Sequence, residues 1–431
     1  MEDRELRREQ RMRLAVTVGV ILSIGLADAQ TKYPTKFTPQ IAETREVKEA
    51  LAYLDEKFTD QVAEWIRITE IPAKSTFEQK RGEYVKSEFQ KLGLEVSVDE
   101  VGNVIGRRRG AGGGPTVVFA AHMDTVHPMD TDVRVTKKDG RLYAPGIFDN
   151  SASVANMLQA ARALDAAKVK TKGDVLFIAT VQEELGLNGM NHWLDTNPGK
   201  ADMVVALDGG LGAVNYGALG IYGSWMRFHG EGSHTVSSRG KPHPGRAAAQ
   251  CILDIYTIPL PGPDEAVTAV YNVGMLEGGK VVNAIPQDVS FTVDLRTVDP
   301  ELLTKLDAAV VGTCEAAAKK EGVEFKREWI QKSEAGGRPE QLQDRRAHSI
   351  VQTGVDVLTY LGVKLTPGRE AVPTGSTDAN AAVVRKIPAI AVGRANGGNQ
   401  HTISEWAEPE SAKTATKQII LLVASLAELA K

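Results

Sequence analysis

Apolar and polar positions change rhythm several times along the chain. Three nearly continuous apolar runs stand out: residues 116–121 (TVVFAA), 174–181 (DVLFIATV) and 202–207 (DMVVAL). Short runs without alternation predict strands buried on both faces, the pattern of a mainly parallel sheet. Between the first two, a helix is predicted from Asn150, with Val154, Met157, Leu158 and Ala161 on one face. Helices alternating with apolar strands predict an α/β sheet covered on both sides.

The pattern changes near residue 214. A strand over 221–229, a helix over 245–257, strands over 267–276 and 288–297, a helix over 300–320 and a strand near 323–330 come in turn. In the third of these strands Phe291, Val293 and Leu295 alternate with polar residues, so only one face is buried. A β-α-β-β-α-β order predicts a ferredoxin-like split motif. The Gly-Gly-Arg-Pro segment at 336–339 is read as a return linker. Beyond it a helix at 347–361, a strand at 388–393 and a last helix from Glu410 restore the α/β alternation. The expected organisation is a sheet domain in two parts, 30–213 and 332–431, with a smaller domain, 214–331, inserted.

Residues Leu14 to Leu26 form an apolar run that ends in Ala27-Asp28-Ala29. The run is short of the roughly 20 residues that span a bilayer. It fits a secretory signal occupying 1–29 and cut after Ala29, with Met12 as the cleaner initiator. The alternative is an uncleaved N-terminal membrane anchor. The expected location is secreted or periplasmic, with no stable membrane association after cleavage. Lys and Arg number 51 against 55 Asp and Glu, a net charge of −4. No global basic excess is available to hold nucleic acid. Two cysteines, Cys251 and Cys314, exclude a disulfide-built scaffold and a four-cysteine zinc site. Export would permit them to pair, and two buried thiols are an equal alternative.

Chemistry-bearing residues gather at the ends of the apolar strands. His122-Met123-Asp124 closes the first, Glu183-Glu184 the second and Asp208 the third, while Asp149 precedes the predicted helix. Strand ends are where open α/β sheets place ligand groups. In His-x-Asp, the imidazole can bind a metal while the carboxylate orients it. Of adjacent glutamates, one can bind metal and the other act as general base. Any one of these acids alone would be an ordinary loop residue or helix cap; the set suits a hydrolytic metal site with open positions.

The motifs HMDT, GIFDNSAS, ATVQEELG and ALDGG, with a distant C-terminal His401, resemble the co-catalytic dizinc exopeptidases. That family (metallopeptidase family 20) includes tripeptidase T, carboxypeptidase G, the aminoacylases and succinyl-diaminopimelate desuccinylase. The resemblance runs from about residue 45 to the C-terminus. It implies a zinc-exopeptidase-like α/β sheet with helices on both faces, plus an inserted ferredoxin-like α+β lid and dimerisation domain. Two zinc ions are implied, with cobalt or manganese as substitutes. His122 and Asp208 would bind one, Glu184 and His401 the other, and Asp149 would bridge them. Asp124 would orient His122, and Glu183 would be the general base. His234 matches the family's lid histidine, although Thr235-Val236 replaces the usual Ala-Gly. Asn283 matches a substrate-contacting Asn, and Gly375-Ser376 a loop lining the cleft. Asp149-Asn150-Ser151 departs from relatives that carry a second acid there.

The expected function is an exported dizinc peptidase, tripeptidase-T-like, acting on small peptides and able to dimerise through the inserted domain. The alternatives are an N-acyl-amino-acid deacylase or carboxypeptidase of the same family, and a peptide-binding protein that has lost turnover. The glycine-rich segment Gly106 to Gly114 lacks the Lys-Ser/Thr of a phosphate loop and is read as a hairpin turn, with Arg107 to Arg109 solvated. His127, His192, His229, His243 and His348 are read as background. No Gly-x-Ser-x-Gly elbow supports a serine hydrolase.

Overall fold

A computed structural model describes residues 34–262 and 267–430. The expected signal segment and Met12 lie outside the described residues. The first apolar run forms strand β3 (Val117–His122), after a short antiparallel pair, β1 (Glu95–Val98) and β2 (Val104–Arg108). The next two runs form β4 (Val175–Thr180) and β5 (Met203–Leu207). Both lie parallel to β3, one on each side. Two-residue β6 (Val214–Asn215) and β11 (Ala371–Val372), with β12 (Ala389–Val392), complete an eight-stranded sheet in the order β1-β2-β4-β3-β5-β12-β6-β11.

Alternation along β3 explains its unbroken hydrophobicity. Val117, Phe119 and Ala121 enter one core, and Val118 and Ala120 enter the other. The larger core contains helices α1 (Phe58–Thr69), α2 (Ser151–Ala166) and α5 (Pro409–Leu426). The smaller core contains Met190, Trp193 and Leu194 from Asn188–Thr196, with Ala379 to Val383. Helix α2 is not the one-sided helix its spacing suggested. It is buried from Ser151 to Ala161 on every side, because α1, α5 and β3 enclose it.

Four strands form the second sheet: β7 (Gly220–His229), β8 (Ala269–Gly278), β9 (Asp288–Thr297) and β10 (Glu324–Ser333). Their order is β8-β9-β7-β10, all antiparallel. Helices α3 (Pro244–Ile255) and α4 (Pro300–Glu321) cover one face and form a separate core with Phe228, Phe291 and Leu295. Cys251 on α3 and Cys314 on α4 are joined by a disulfide, which resolves the choice left open by sequence. The main sheet keeps Val214–Asn215, so the crossing into this unit falls between 216 and 220. Gly336 donates its N–H to the Ala218 carbonyl at 2.9 Å, which pins the outgoing and returning chains together. Residues 334–338 are irregular, in keeping with a return linker, and a helix that the sequence pattern did not predict follows directly at Pro339–Arg346.

The segment 106–114 is not a hairpin. Strands β2 and β3 are separated by β4, so the loop crosses over its end. Ala111 and Gly112 donate to the Thr171 and Lys172 carbonyls, and a Cβ on Gly110 or Gly114 would collide with residues 172–173. The arginines are correspondingly engaged: Arg107 pairs with Asp174, Arg108 donates to the Val169 carbonyl, and Arg109 pairs with Glu95.

A third, small antiparallel sheet had no counterpart in the sequence pattern. It joins Thr136–Lys138 and Arg141–Tyr143 to Asn396–Gly398 and Trp406–Glu408. Its strands have three residues each, too short for periodicity to register. It brings the loop before α2 against the C-terminal return. Among the described residues, no helix is long and apolar enough to cross a membrane.

Close approach in the small sheet is testable. A Cβ on Gly397 would run into the Phe148 ring and the Trp406 carbonyl. Gly397→Ala is expected to destabilise by about 1–3 kcal/mol through overpacking. Gly312, inside α4, has nothing within 4 Å of an added Cβ. There, Gly312→Ala should stabilise by roughly 0.5–1 kcal/mol from helix propensity. Thermal unfolding of the two variants should move in opposite directions.

Candidate metal centre

The strand-end residues converge because their strands are parallel and in register. His122 ends β3 opposite Thr180 of β4, and Leu207 of β5 is opposite Val392 of β12. Their carboxyl ends therefore open onto one edge, where Glu183-Glu184, Asp208 and Arg394 come after β4, β5 and β12. His122 Nε2 lies 3.2 Å from Asp149 Oδ1 and 3.9 Å from Asp208 Oδ2. His401 Nε2 lies 3.1 Å from Glu184 Oε1 and 3.5 Å from Asp149 Oδ2. Asp149 is thus the shared neighbour of both imidazoles. Ligand atoms of His122, Asp149 and Glu184 fall within 4.8 Å of one another.

Asp124 is fully buried and serves both sides of this edge. Its Oδ1 lies 3.4 Å from His122 Nδ1 and accepts the Glu183 N–H at 3.0 Å. Its Oδ2 accepts from Ser75 Oγ at 2.7 Å and from the Glu184 N–H at 3.2 Å. His122 Nδ1 also lies 3.1 Å from the Asp124 backbone carbonyl, so this one residue fixes the imidazole and the paired glutamates together. Buried Arg81 supports the same turn by donating to the Met123 and Ile71 carbonyls. Glu78 adds a tie by accepting the Gln182 N–H at 3.0 Å.

The loop that carries Asp149 is clamped by Glu405. This carboxylate has no exposed surface. Its Oε1 accepts the N–H groups of Phe148 and Asp149, each at 2.7 Å, and Oε2 accepts that of Gly146 at 3.1 Å. Trp65 of α1 donates its indole N–H to the Ile147 carbonyl at 2.6 Å. The Asp149–Asn150 peptide is cis. His401 has φ +63°, the left-handed region that a residue with a Cβ occupies at a cost of order 1 kcal/mol. Such strain is concentrated where surrounding contacts dictate a side chain's direction, as the turn around His401 does.

Two buried oxygens, Asp149 Oδ1 and Glu184 Oε1, have no hydrogen bond of acceptable geometry despite their imidazole neighbours. Buried carboxylate oxygens left without donors, beside imidazole nitrogens and without thiolates, fit the ligand set of a divalent cation. The ionisation pattern is set by burial and crowding. Burial pushes Glu183 well above the usual carboxylate range; His122 opposes this, and Asp208, Glu184 and Asp378 add to it. Asp149 is held well below that range, against the effect of burial, by Arg394 and the two imidazoles. Burial raises Asp378 to about 7, opposed by the Thr180 hydroxyl at 2.5 Å. The carboxylates of Asp149 and Glu184, close against its Nε2, raise His401 to about 10.

Of the residues expected at the site, His122, Asp124, Asp149, Glu183, Glu184, Asp208 and His401 share this edge. Two others do not join them. His234 and Asn283 lie together on the smaller unit, where the Thr235 N–H donates to the Asn283 carbonyl at 2.9 Å. Both are exposed, and the groove beside His234 contains none of the strand-end residues. Gly375 and Ser376 lead into buried Asp378, which reaches the edge through Thr180. His127 is not a simple loop residue: it is buried, 3.7 Å from Glu405. His243 and His348 accept backbone N–H groups as helix caps.

Sequence reasoning missed Glu405 and Arg394. Glu405 lies four residues beyond His401, in the segment His401-Thr402-Ile403-Ser404-Glu405. Arg394 comes just after the strand PAIAVG, so the strand-end argument applied to the other three strands would have found it. Its guanidinium is buried, with Nη2 3.2 Å from Asp149 Oδ2 and Nη1 against Asp208 Oδ1. It sits 4.2 Å above the Phe148 ring.

A model of Peptidase family M20/M25/M40 matches residues 118–425. Carboxypeptidase G2 of a Pseudomonas species is 25% identical over 250 residues, 56% of this chain and 59% of that enzyme. Against the first curated relatives, matches span between 59% and 68% of their length. A tripeptidase from Staphylococcus aureus superimposes with a TM-score of 0.70 at 21% identity, covering 86% of this chain and 98% of its own. A dinuclear metal-binding peptidase of family M20 from Bacillus subtilis gives 0.61 at 18% identity, covering 86% and 99%.

The clamp and the protonated imidazole each have a measurable consequence. Glu405→Gln puts an amide N–H against a backbone N–H, so stability should fall by about 1–3 kcal/mol in denaturant titrations. Cation affinity should fall roughly tenfold as Asp149 loosens. For the imidazole the variable is pH. In the metal-free protein the proton on His401 is retained up to about 10, above its ordinary 6.5. Its contribution to stability is therefore complete below about 6.5 and lost as pH rises through about 10. A cation must displace that proton, so affinity should rise with pH and uptake should release protons. Calorimetry in buffers of different ionisation enthalpy would read this directly; uptake without proton release would exclude His401 as a ligand.

Proposed function

The chain belongs to Peptidase family M20/M25/M40, and from that premise we propose that it is a two-metal exopeptidase cleaving amide bonds in small peptides. The observation that carries this reading is the convergence of His122, Asp149 and Glu184 ligand atoms beside the buried Glu183. His122 and Asp208 would hold one ion, Glu184 and His401 the other, and Asp149 would bridge. A pair of divalent ions, with zinc the expected metal and cobalt or manganese as substitutes, would polarise the scissile carbonyl and make water a stronger acid.

The chain's own groups supply the rest. Glu183 takes a proton from the attacking water and returns it to the leaving amine. Its burial supports that role by moving its affinity for protons toward the working pH. Asp124 keeps Glu183 and Glu184 in place through their N–H groups and holds the His122 ring by Nδ1. Asp378 and the Gly375-Ser376 turn would line the cleft. His234 and Asn283, exposed on the smaller unit, would meet substrate from a partner subunit, with His234 directed at the developing oxyanion. Export is part of the proposal, supported by the apolar segment ending at Ala29 and by the Cys251–Cys314 disulfide.

Substrate class is tested with unblocked di- and tripeptides against N-acyl amino acids and C-terminally extended peptides, each with zinc, cobalt and manganese. Turnover confined to acylated compounds would replace the peptidase reading with a deacylase, and release of C-terminal residues alone with a carboxypeptidase. Glu183→Ala should retain metal and lose roughly 10²–10⁴ in rate. An unchanged rate would remove Glu183 from the mechanism, and a wild-type protein that binds peptide without turnover would make this a binding module.

A further inference from the structure

Among the described residues, Arg394 is the one guanidinium built into the carboxylate cluster from the strand side. It is 1% exposed and held at both backbone and side chain. Its backbone N–H donates to the Gly209 carbonyl at 3.0 Å, and its carbonyl accepts from Asn156 Nδ2 at 2.7 Å, so its Cα is fixed between β5 and α2. The guanidinium lies over Phe148 and spans two acids, Nη2 to Asp149 Oδ2 and Nη1 to Asp208 Oδ1. Nη1 also lies 3.4 Å from Asn150 Oδ1. This fork takes one oxygen of each acid and leaves the other, Asp149 Oδ1 and Asp208 Oδ2, facing His122, so its positive charge sits directly behind the carboxylates that a cation beside His122 would need. Asp149 Oδ2 is also the oxygen facing His401, and Asp208 is absent from the group of ligand atoms that close to within 4.8 Å.

Like charges this close and this dry cannot all remain ionised without a cation. Arg394 provides one permanently, since a guanidinium does not deprotonate in proteins. We propose that Arg394 is a resident counter-cation that substitutes for metal charge between Asp149 and Asp208. It keeps the metal-free protein folded and competes with the ion that takes Asp208, making the His122–Asp208 position the weaker of the two. This rests on the metal-site reading above. The competition has a sign that distinguishes it from a supporting role. If Arg394 only oriented the carboxylates, removing it would weaken cation binding; if it competes, removing it strengthens binding.

The test compares wild type, Arg394→Met and Arg394→Lys, each stripped with a chelator and each saturated with Zn2+ or Co2+. Metal-stripped Arg394→Met should melt roughly 10 °C lower, because two buried carboxylates lose their partner. With saturating Zn2+ most of that loss should disappear, so the rise in Tm on adding metal is larger than in wild type. Calorimetric titration should show the weaker site tightened by about tenfold, with Arg394→Lys between the two. An equal or smaller rise in Tm on adding metal in both variants would overturn the proposal. Failure of both variants to fold with metal present would make Arg394 purely structural and also overturn it. A wild-type protein that binds no Zn2+ or Co2+ would overturn the metal-site reading itself, whereas binding with unchanged increments overturns only the competition.

Discussion

Concentrated negative charge in a dry place is the constraint on which the rest of the molecule depends. Parallel strands set their carboxyl ends side by side, and here those ends deliver Asp124, Glu183, Glu184 and Asp208 to one buried edge, where Asp149 joins them. Such a cluster is stable only if every oxygen has a compensating partner. The chain meets this in layers. Asp124 takes N–H groups from the very residues it must hold, Glu405 takes three from the Asp149 loop, and Arg394 neutralises the far side. Among the buried oxygens left without a hydrogen bond are Asp149 Oδ1 and Glu184 Oε1, the two that lie beside the imidazoles, where a cation would be held.

Much of this was legible in the sequence because it depends on short-range patterns. Unbroken apolar runs identify β3, β4 and β5, and the residues that close those runs include His122, Glu183, Glu184 and Asp208. Alternation in β9 and the order of elements identify the second sheet. The illegible part depends on long-range pairing. The small sheet joins strands of three residues separated by more than two hundred positions, too short to show a period. The same pairing hides Glu405, whose role is visible only once Asp149 is beside it. The loop at 106–114 misled because its glycines signal a tight turn in any context. Here they permit close passage over β4.

The smaller unit is energetically its own object. Its core excludes the main sheet, its two helices are cross-linked by Cys251–Cys314, and it connects through two strands of chain stitched together near Ala218 and Gly336. His234 and Asn283 stand on it, away from the strand-end edge. The spacing of motifs in the sequence carries no information on that separation, because it depends on how the inserted unit is held.

The divided main domain has a consequence in time. His122, Asp149, Glu183 and Asp208 are synthesised before the smaller unit, but Arg394, His401 and Glu405 come after it. Until segment 394–405 has emerged and threaded back beside the loop at 144–149, the growing chain has neither its full ligand set nor the groups that balance its charge. The buried edge is therefore completed, and its charge balanced, only late in the synthesis of each molecule.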